Sequence, residues 1–215
     1  MSRSIKKGFF ITLEGPDGCG KTTQALALKK RFIEQGKNVV HTREPGGTSF
    51  AEDLRKIILN PKHKISPTAE LLLYEASRAH HTEEVIRPTL EKGGIVLCER
   101  YTDATMAYQG YGRGLSLETI LTLNKIASGG IIPHLTLILD IPVKEGLRRA
   151  RKLQEDGEKG DRLERESLKF HYRVREGYLS IVRNEPKRVR IVSSLGSREE
   201  VQERIWREVQ RYGLG

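Results

Sequence analysis

The residues best suited to chemistry lie together near the start of the chain, in the stretch GPDGCGKTT. This stretch matches the phosphate-binding pattern G-x-x-x-x-G-K-[ST] at every specified position. Its glycines allow backbone N–H groups to turn toward anionic oxygens, Lys21 can reach terminal phosphates, and the Thr22 hydroxyl can hold a magnesium ion. A glycine-rich turn that binds nothing is the alternative, and it agrees less well with the flanking residues. We therefore predict a nucleotide-phosphate site formed by Gly15, Pro16, Asp17, Gly18, Cys19, Gly20, Lys21, Thr22 and Thr23.

The segments that must position this loop have the pattern of an α/β protein. An apolar run at residues 9–13 leads into the loop and a helix-like segment at 21–35 follows it, as a phosphate-binding loop requires. Helices are also expected after Ser49, which can cap one, and at residues 68–86, which Pro88 ends or kinks. Short, continuously apolar strands that alternate with helices indicate a parallel sheet covered on both faces, with ligands at the carboxyl ends of the strands. The further strands are predicted at residues 38–42, 94–98, 135–140 and 189–192.

Length and composition limit what can surround the loop. The 215 residues suffice for one domain spanning 1–215, with a small mobile insert. Because no run of about 18 apolar residues occurs and the amino terminus lacks the apolar core of a signal peptide, we expect a cytoplasmic protein. The two cysteines, Cys19 and Cys98, lack metal-site spacing and are predicted to be reduced. The net charge of +10 favours anionic partners without choosing among nucleotides, nucleic acid and a membrane surface.

Longer motifs occur in order along the chain: TREPGGT at residues 42–48, LLLYEASR at 71–78, ERY at 99–101 and AYQGYGRG at 107–114. Together with the loop they resemble the thymidylate kinases over nearly the whole chain. The resemblance implies a three-layer P-loop nucleoside monophosphate kinase fold, with a five-stranded parallel sheet, helices on both faces and a mobile lid at about 148–162. It also implies that a homodimer phosphorylates dTMP to dTDP with ATP and Mg²⁺, in dTTP synthesis.

The residues predicted to bind the acceptor nucleotide follow partly from their own chemistry. Tyr74 and Arg78 are four apart, so on a helix they share a face, where a ring can stack on a base while a guanidinium donates to its edge. Without the motif, a core tyrosine beside a surface arginine would be the better interpretation. Arg100 follows a strand end and can make a two-pronged contact to the acceptor phosphate. By resemblance Tyr108 excludes a 2′-hydroxyl, and the dTMP site comprises Asp17, Arg43, Pro45, Tyr74, Arg78, Arg100, Thr105, Tyr108 and Gln109.

Two features concern the transferring phosphoryl group. Glu99 stands where the family usually has aspartate, and its carboxylate can hold magnesium directly or through water, or steer the acceptor phosphate. The loop carries Asp17 and lacks the arginine of some family members, so a cation from the lid is expected to neutralise the developing charge. By alignment the candidates for this cation are Arg149 and Arg151, with Lys159 and Arg162 beyond them. A helix end whose charges only face solvent is the alternative for any one of them. The predicted catalytic residues are Lys21, Glu99, Arg100, Arg149 and Arg151.

Other functions stay open from the sequence alone. The basic charge is compatible with a nucleic-acid-stimulated P-loop ATPase, whose binding to DNA or RNA would weaken steeply with salt. A GTP-binding switch is disfavoured because no guanine-reading N-K-x-D motif occurs. Another deoxynucleoside monophosphate kinase is the nearest alternative. We expect ATP and dTMP as partners, and neither nucleic acid nor a membrane.

Overall fold

A parallel sheet forms the centre of the structure. The computed structural model describes residues 8–152 and 160–214. Within these ranges the strands all pair in parallel, in the order β2-β3-β1-β4-β5. The predicted five-stranded parallel sheet is confirmed, and the ends of each predicted strand lie within one residue of the observed ones. The strands are β1 (Phe9–Glu14), β2 (Val39–Arg43), β3 (Ile95–Glu99), β4 (Leu135–Asp140) and β5 (Val189–Ser193).

Helices connect the strands and cover the sheet. Two π-helical segments also occur: Thr82–Ile86 joins α3 to α4, and Met106–Gly112 continues from α5. Among the described residues, no helix combines the length and the apolar character needed to cross a membrane. The helices are α1 (Lys21–Glu34), α2 (Ser49–Leu59), α3 (Pro67–His81), α4 (Arg87–Glu91), α5 (Thr102–Thr105), α6 (Leu117–Ala127), α7 (Val143–Lys152), α8 (Leu168–Asn184) and α9 (Arg198–Arg211).

Two helix boundaries differ from the sequence-based expectation. The cap of α2 is Thr48 and not Ser49, because Thr48 has the extended backbone of a cap and its hydroxyl accepts the N–H of Ala51. The helix expected at residues 68–86 begins at Pro67 and continues beyond 86 into α4. The wider π-helical turn immediately precedes Pro88, whose nitrogen has no hydrogen to donate to a regular helix.

Alternate residues of each strand pack on opposite faces of the sheet, as the two-residue period of a strand requires. On one face, Ile11 of β1 belongs to a buried cluster with Phe32 of α1 and Trp206 of α9. On the other face, Phe10 of β1 packs in a cluster with Tyr101, while α8 covers β4. The sheet is therefore enclosed between two helical layers, and its carboxyl edge is the edge from which the functional side chains project.

Candidate active site

A cavity of about 200 Å³ lies at the carboxyl ends of β1, β2 and β3. It brings together residues that are far apart in the sequence, because the carboxyl ends of parallel strands meet at one edge of the sheet. Residues from the phosphate-binding loop line one side of it, and residues from α2, α3 and the π-helical segment Met106–Gly112 line the other. The predicted residues that line it are Asp17, Lys21, Thr22, Arg43, Pro45, Tyr74, Arg78, Glu99, Arg100, Thr105, Tyr108 and Gln109.

The phosphate-binding loop has the geometry expected from its glycines. Gly15, Gly18 and Gly20 have φ angles of 134°, 72° and 89°, which side chains disfavour. α1 begins at Lys21, directly after the loop, so its amino-terminal N–H groups face the position of an anion. The ammonium of Lys21 donates to the carbonyl oxygens of Gly15 and Pro16 at 3.0 Å each.

Close packing fixes the loop against the helix that leads toward the lid. A Cβ atom added to Gly18 would overlap the carbonyl oxygen of Gly146 in α7, and one added to Gly146 would come within 2.5 Å of the carbonyl oxygen of Asp17. The two backbones therefore touch without an intervening side chain. This contact sets the position of α7 relative to the loop.

Glu99 connects the end of β3 to the phosphate-binding loop. Its Oε2 atom accepts the Thr22 hydroxyl at 2.6 Å, and its Oε1 atom lies 2.9 Å from Nε2 of His41 on β2. Burial opposes ionisation, but these hydrogen bonds hold the pKa of Glu99 below its ordinary value. The arrangement offers two hard oxygen atoms side by side, which suits Mg²⁺. His41 was not expected from the sequence, where it lies in an apolar strand with no motif around it.

Arg100 joins the two sides of the cavity. Its guanidinium donates to Asp17 at 2.5 Å, to the carbonyl oxygen of Gly15 at 3.2 Å and to the Tyr108 hydroxyl at 3.1 Å. The Tyr108 hydroxyl in turn donates to the second oxygen of Asp17. Burial alone would raise the pKa of Asp17, but the charges of Arg100 and Lys21 hold it below its ordinary value. Asp17, Arg100 and Tyr108 thus form one connected group between the loop and the cavity.

Arg78 lines the cavity, and its guanidinium has several protein partners. Its side chain is 1% exposed, and all five of its N–H groups donate to protein acceptors. These partners hold the buried guanidinium in a fixed position beside the cavity. One acceptor is the hydroxyl of Thr105, which also lines the cavity. The other acceptors are the side chains of Glu44, Glu75 and Asn124 and the carbonyl oxygen of Tyr101.

Arg55 lines the cavity, although sequence reasoning missed it. Its guanidinium makes one hydrogen bond, 3.1 Å to the carbonyl oxygen of Pro45. Burial lowers the pKa of Arg55, and so does repulsion from Arg43 and Arg100, which line the same cavity. Three guanidinium groups therefore lie at this end of the cavity, and Arg43 and Arg100 are each paired with a carboxylate. A sequence signal existed, since Arg55 follows the buried Ala51 by four residues and so lies on the inward stripe of α2.

The candidate lid cations lie in different places. Arg149 donates to Glu145 and to the carbonyl oxygen of Ser194, and it lines a second cavity of about 290 Å³ beside the phosphate-binding loop. Arg151 does not line this cavity but a separate surface depression on the other side of α7. Arg162, the other candidate among the described residues, pairs with the buried Glu70 at 2.6 Å and donates to the backbone of α2. Lys159 lies outside the described residues.

The second cavity shows a further part of the site that the sequence did not indicate. The loop that follows β5 contributes Ser194, Gly196 and Ser197 to it, opposite Gly18 and Gly20. The phosphate-binding loop thus lies between two cavities. One contains aromatic and amide groups with an arginine-rich end, and the other is bounded by Arg149.

Two cavities that share a phosphate-binding loop, on a parallel sheet of this order, are the arrangement of a P-loop nucleoside monophosphate kinase. A family model for thymidylate kinase matches residues 13–205. Thymidylate kinase from Syntrophotalea carbinolica is 52% identical over 92% of this chain and 93% of its own length, and that from Deinococcus radiodurans is 44% identical over 97% and 100%. The crystal structure of thymidylate kinase from Ehrlichia chaffeensis superposes with a TM-score of 0.77, at 32% identity over 95% of this chain and all of that one. The chain belongs to the thymidylate kinase family.

Proposed function

We propose that the protein transfers the terminal phosphoryl group of ATP to dTMP, which yields ADP and dTDP for dTTP synthesis. The observation that carries this proposal is the main cavity, which joins the phosphate-binding loop to an aromatic and amide-lined end through a cluster of arginines. A nucleoside monophosphate has a base that suits the aromatic and amide groups and a phosphate that suits the arginines beside the loop. The family membership supports the same activity.

The acceptor nucleotide lies along this cavity. The base stacks beside Tyr74 and meets Thr105 and Gln109, while the sugar packs against Tyr108 near Asp17. Its phosphate lies among Arg43, Arg55 and Arg100, the arginine-rich end described above. Support for this direction comes from Arg55, because burial and repulsion from Arg43 and Arg100 lower the pKa of its guanidinium, which an anion beside it would stabilise.

The mechanism is positioning and neutralisation of charge, which is what phosphoryl transfer requires. Lys21 and the N–H groups at the start of α1 bind the phosphates of ATP, and Arg100 holds the acceptor phosphate in line. The acceptor is already an anion, so no strong base is needed. Thr22 and Glu99 have the oxygen atoms that would hold Mg²⁺, which would supply positive charge to neutralise the phosphates. Arg149 bounds the cavity on the ATP side of the loop.

We also propose that the protein is a homodimer. Three neighbouring helices support this, since α2 packs on α3, α3 packs on α6, and all three carry exposed apolar side chains. These side chains are Phe50, Ile57, Leu72, Leu121 and Ile126. Such a surface is typical of an interface between identical subunits. A single domain over the whole chain, with a lid at about 148–162, and a cytoplasmic location are proposed with it, the latter supported by the two free cysteines.

The function is tested by a coupled assay of ADP release with dTMP, dUMP, dCMP, dGMP and UMP as acceptors. We expect dTMP to be preferred and UMP to be very poor, because Tyr108 lies where a 2′-hydroxyl would need space. Lys21→Ala should stay folded and lose at least ~100-fold in turnover, since Lys21 acts on the transition state. Comparable kcat/KM for dTMP and UMP, or hydrolysis of ATP that DNA or RNA accelerates, would contradict the proposal.

A further inference from the structure

A buried carboxylate connects four segments around the base end of the cavity. Glu70 of α3 is 0% exposed, accepts hydrogen bonds from Gln109 and, through both of its oxygens, from Arg113, and forms a salt bridge with Arg162. Arg162 also donates to the backbone of α2, and Arg113 also pairs with Glu166. Of these donors, only Gln109 lines the cavity.

Chemistry fixes the direction of the Gln109 amide. Glu70 is surrounded by guanidinium groups, and hydrogen bonds from Arg113 and Gln109 hold its pKa below the ordinary value although burial would raise it. An ionised carboxylate only accepts, so the group of Gln109 that lies 2.7 Å from Oε1 of Glu70 must be the NH₂ group. The carbonyl oxygen of Gln109 is then directed away from Glu70. Among residues 8–152 and 160–214, no donor hydrogen-bonds to this carbonyl oxygen. The oxygen is also not one of the fully buried polar atoms that lack a partner.

Thr105 offers a hydrogen-bond donor near the acceptor of Gln109. Its hydroxyl oxygen accepts an N–H from Arg78 at 2.9 Å, so the hydroxyl hydrogen remains available to donate. The cavity therefore presents an acceptor at Gln109 and a donor at Thr105. Thymine has the complementary pair, a donor at N3–H and an acceptor at O4, whereas cytosine has an acceptor at N3 and a donor at its amino group.

We infer that Glu70 is a specificity-determining residue, which acts by holding the Gln109 amide with its carbonyl oxygen toward the base so that dTMP is accepted and dCMP is rejected. This inference rests on the proposed function. Glu70 itself does not touch the nucleotide, so it is a positioning residue. A buried acceptor that meets no donor is costly, which is why a fixed amide discriminates better than one that is free to rotate.

The substitution Glu70→Gln should reverse the amide. The new side chain carries one oxygen and one NH₂ group. If the new NH₂ group took the place of Oε2, it would face N–H groups of both Arg113 and Arg162. If it took the place of Oε1, it would face only one arginine N–H group, that of Arg113. The NH₂ group therefore takes the Oε1 position and donates to Gln109, whose own NH₂ group then turns toward the base. The melting temperature should fall, because Arg113 and Arg162 lose the negative charge with which they pair.

The experiment measures kcat/KM for dTMP and dCMP in the wild type, Glu70→Gln, Gln109→Leu and the double variant. We expect Glu70→Gln to lower the dTMP-to-dCMP ratio by ~10- to 100-fold. The same change in a Gln109→Leu background should leave the ratio unaltered, because no amide remains to be turned. Glu166→Gln is the matched control, since it removes the same charge from the same cluster without contacting Gln109.

Each outcome decides the inference. A folded Glu70→Gln variant with an unchanged ratio, or an equal fall in Glu166→Gln, overturns it. If Glu70→Gln does not fold, binding of N3-methyl-dTMP to the wild type decides, because a methyl group at N3 abolishes the donor. Binding at least ~10-fold weaker than that of dTMP supports the inference, and equal binding overturns it. Wild-type turnover of dTMP is measured in the same assay, so failure of the proposed function is recognised separately.

Discussion

Arg55 gives a sharp test of how the acceptor phosphate is bound. We expect Arg55→Met to raise the KM for dTMP with little change in kcat, because the variant keeps the packing of the stem and loses only the charged donors. The structure gives this guanidinium one backbone partner, and burial together with Arg43 and Arg100 disfavours its charge. It therefore contributes to binding an anion far more than to the fold.

The size of the effect follows from the bonds at stake. A charge-assisted hydrogen bond to a phosphate contributes about 1.5–3 kcal/mol, which corresponds to roughly 10- to 150-fold in affinity. Since Arg43 and Arg100 remain, the lower half of this range is expected. The unfolding free energy without nucleotide should stay within about 1 kcal/mol of wild type or rise, because an unfavourably placed cation has been removed.

The assay is steady-state kinetics with dTMP varied at saturating ATP, together with thermal unfolding in the presence and absence of dTMP. Lys56→Met is the control, because Lys56 is the next residue of α2, its side chain is 77% exposed and its partner is Asp53. The reasoning is refuted if Arg55→Met leaves the KM for dTMP unchanged. It is also refuted if the variant unfolds far more readily without nucleotide, since the arginine would then be structural.

Three further predictions follow from charge and exposure. Burial, together with the charge of Asp103, raises the pKa of Glu14 from 4.5 to about 7, so the folded chain keeps a proton that the unfolded chain releases. The free energy of unfolding should therefore fall by about 3 kcal/mol as the pH rises from 4.5 to 7. Urea unfolding at several pH values should show this dependence in the wild type and not in Glu14→Gln. Arg149→Ala should lower kcat by ~10- to 1000-fold and Arg151→Ala should not, because of these two residues Arg149 alone lines the cavity beside the loop. Equal kcat values for the two variants would exclude a catalytic role for Arg149. Leu121→Glu on the exposed face of α6 should convert a dimer into a monomer by light scattering, and a monomeric wild type would argue against the interface.

The fold was predictable because its signals are local. Each strand is a short apolar run between turn residues, and the loop before α1 has a fixed spacing of glycines and lysine, so neither depends on distant contacts. The errors are also local in origin. Thr48 and Ser49 are both suitable caps by residue type, and the backbone of the chain decides between them.

The site was less predictable because its partners come from distant segments. Arg78 seemed free to donate to a base, yet its acceptors lie on residues 34 and 46 positions away in the sequence. Arg162 had the composition of a mobile lid cation, but its partner Glu70 belongs to α3. A single sequence shows which residues are charged. It does not show which of them already have a buried partner from a distant segment.

The backbone contact between Gly18 and Gly146 has a consequence for anyone who wishes to diversify this enzyme. At most contacts, a larger residue on one side can be offset by a smaller one on the other, so a library recovers compensated pairs. Here both partners are already the smallest residue, and each meets a main-chain carbonyl that no substitution can remove. The two positions should therefore remain fixed in any functional library, even one that varies the neighbouring residues of α7 freely.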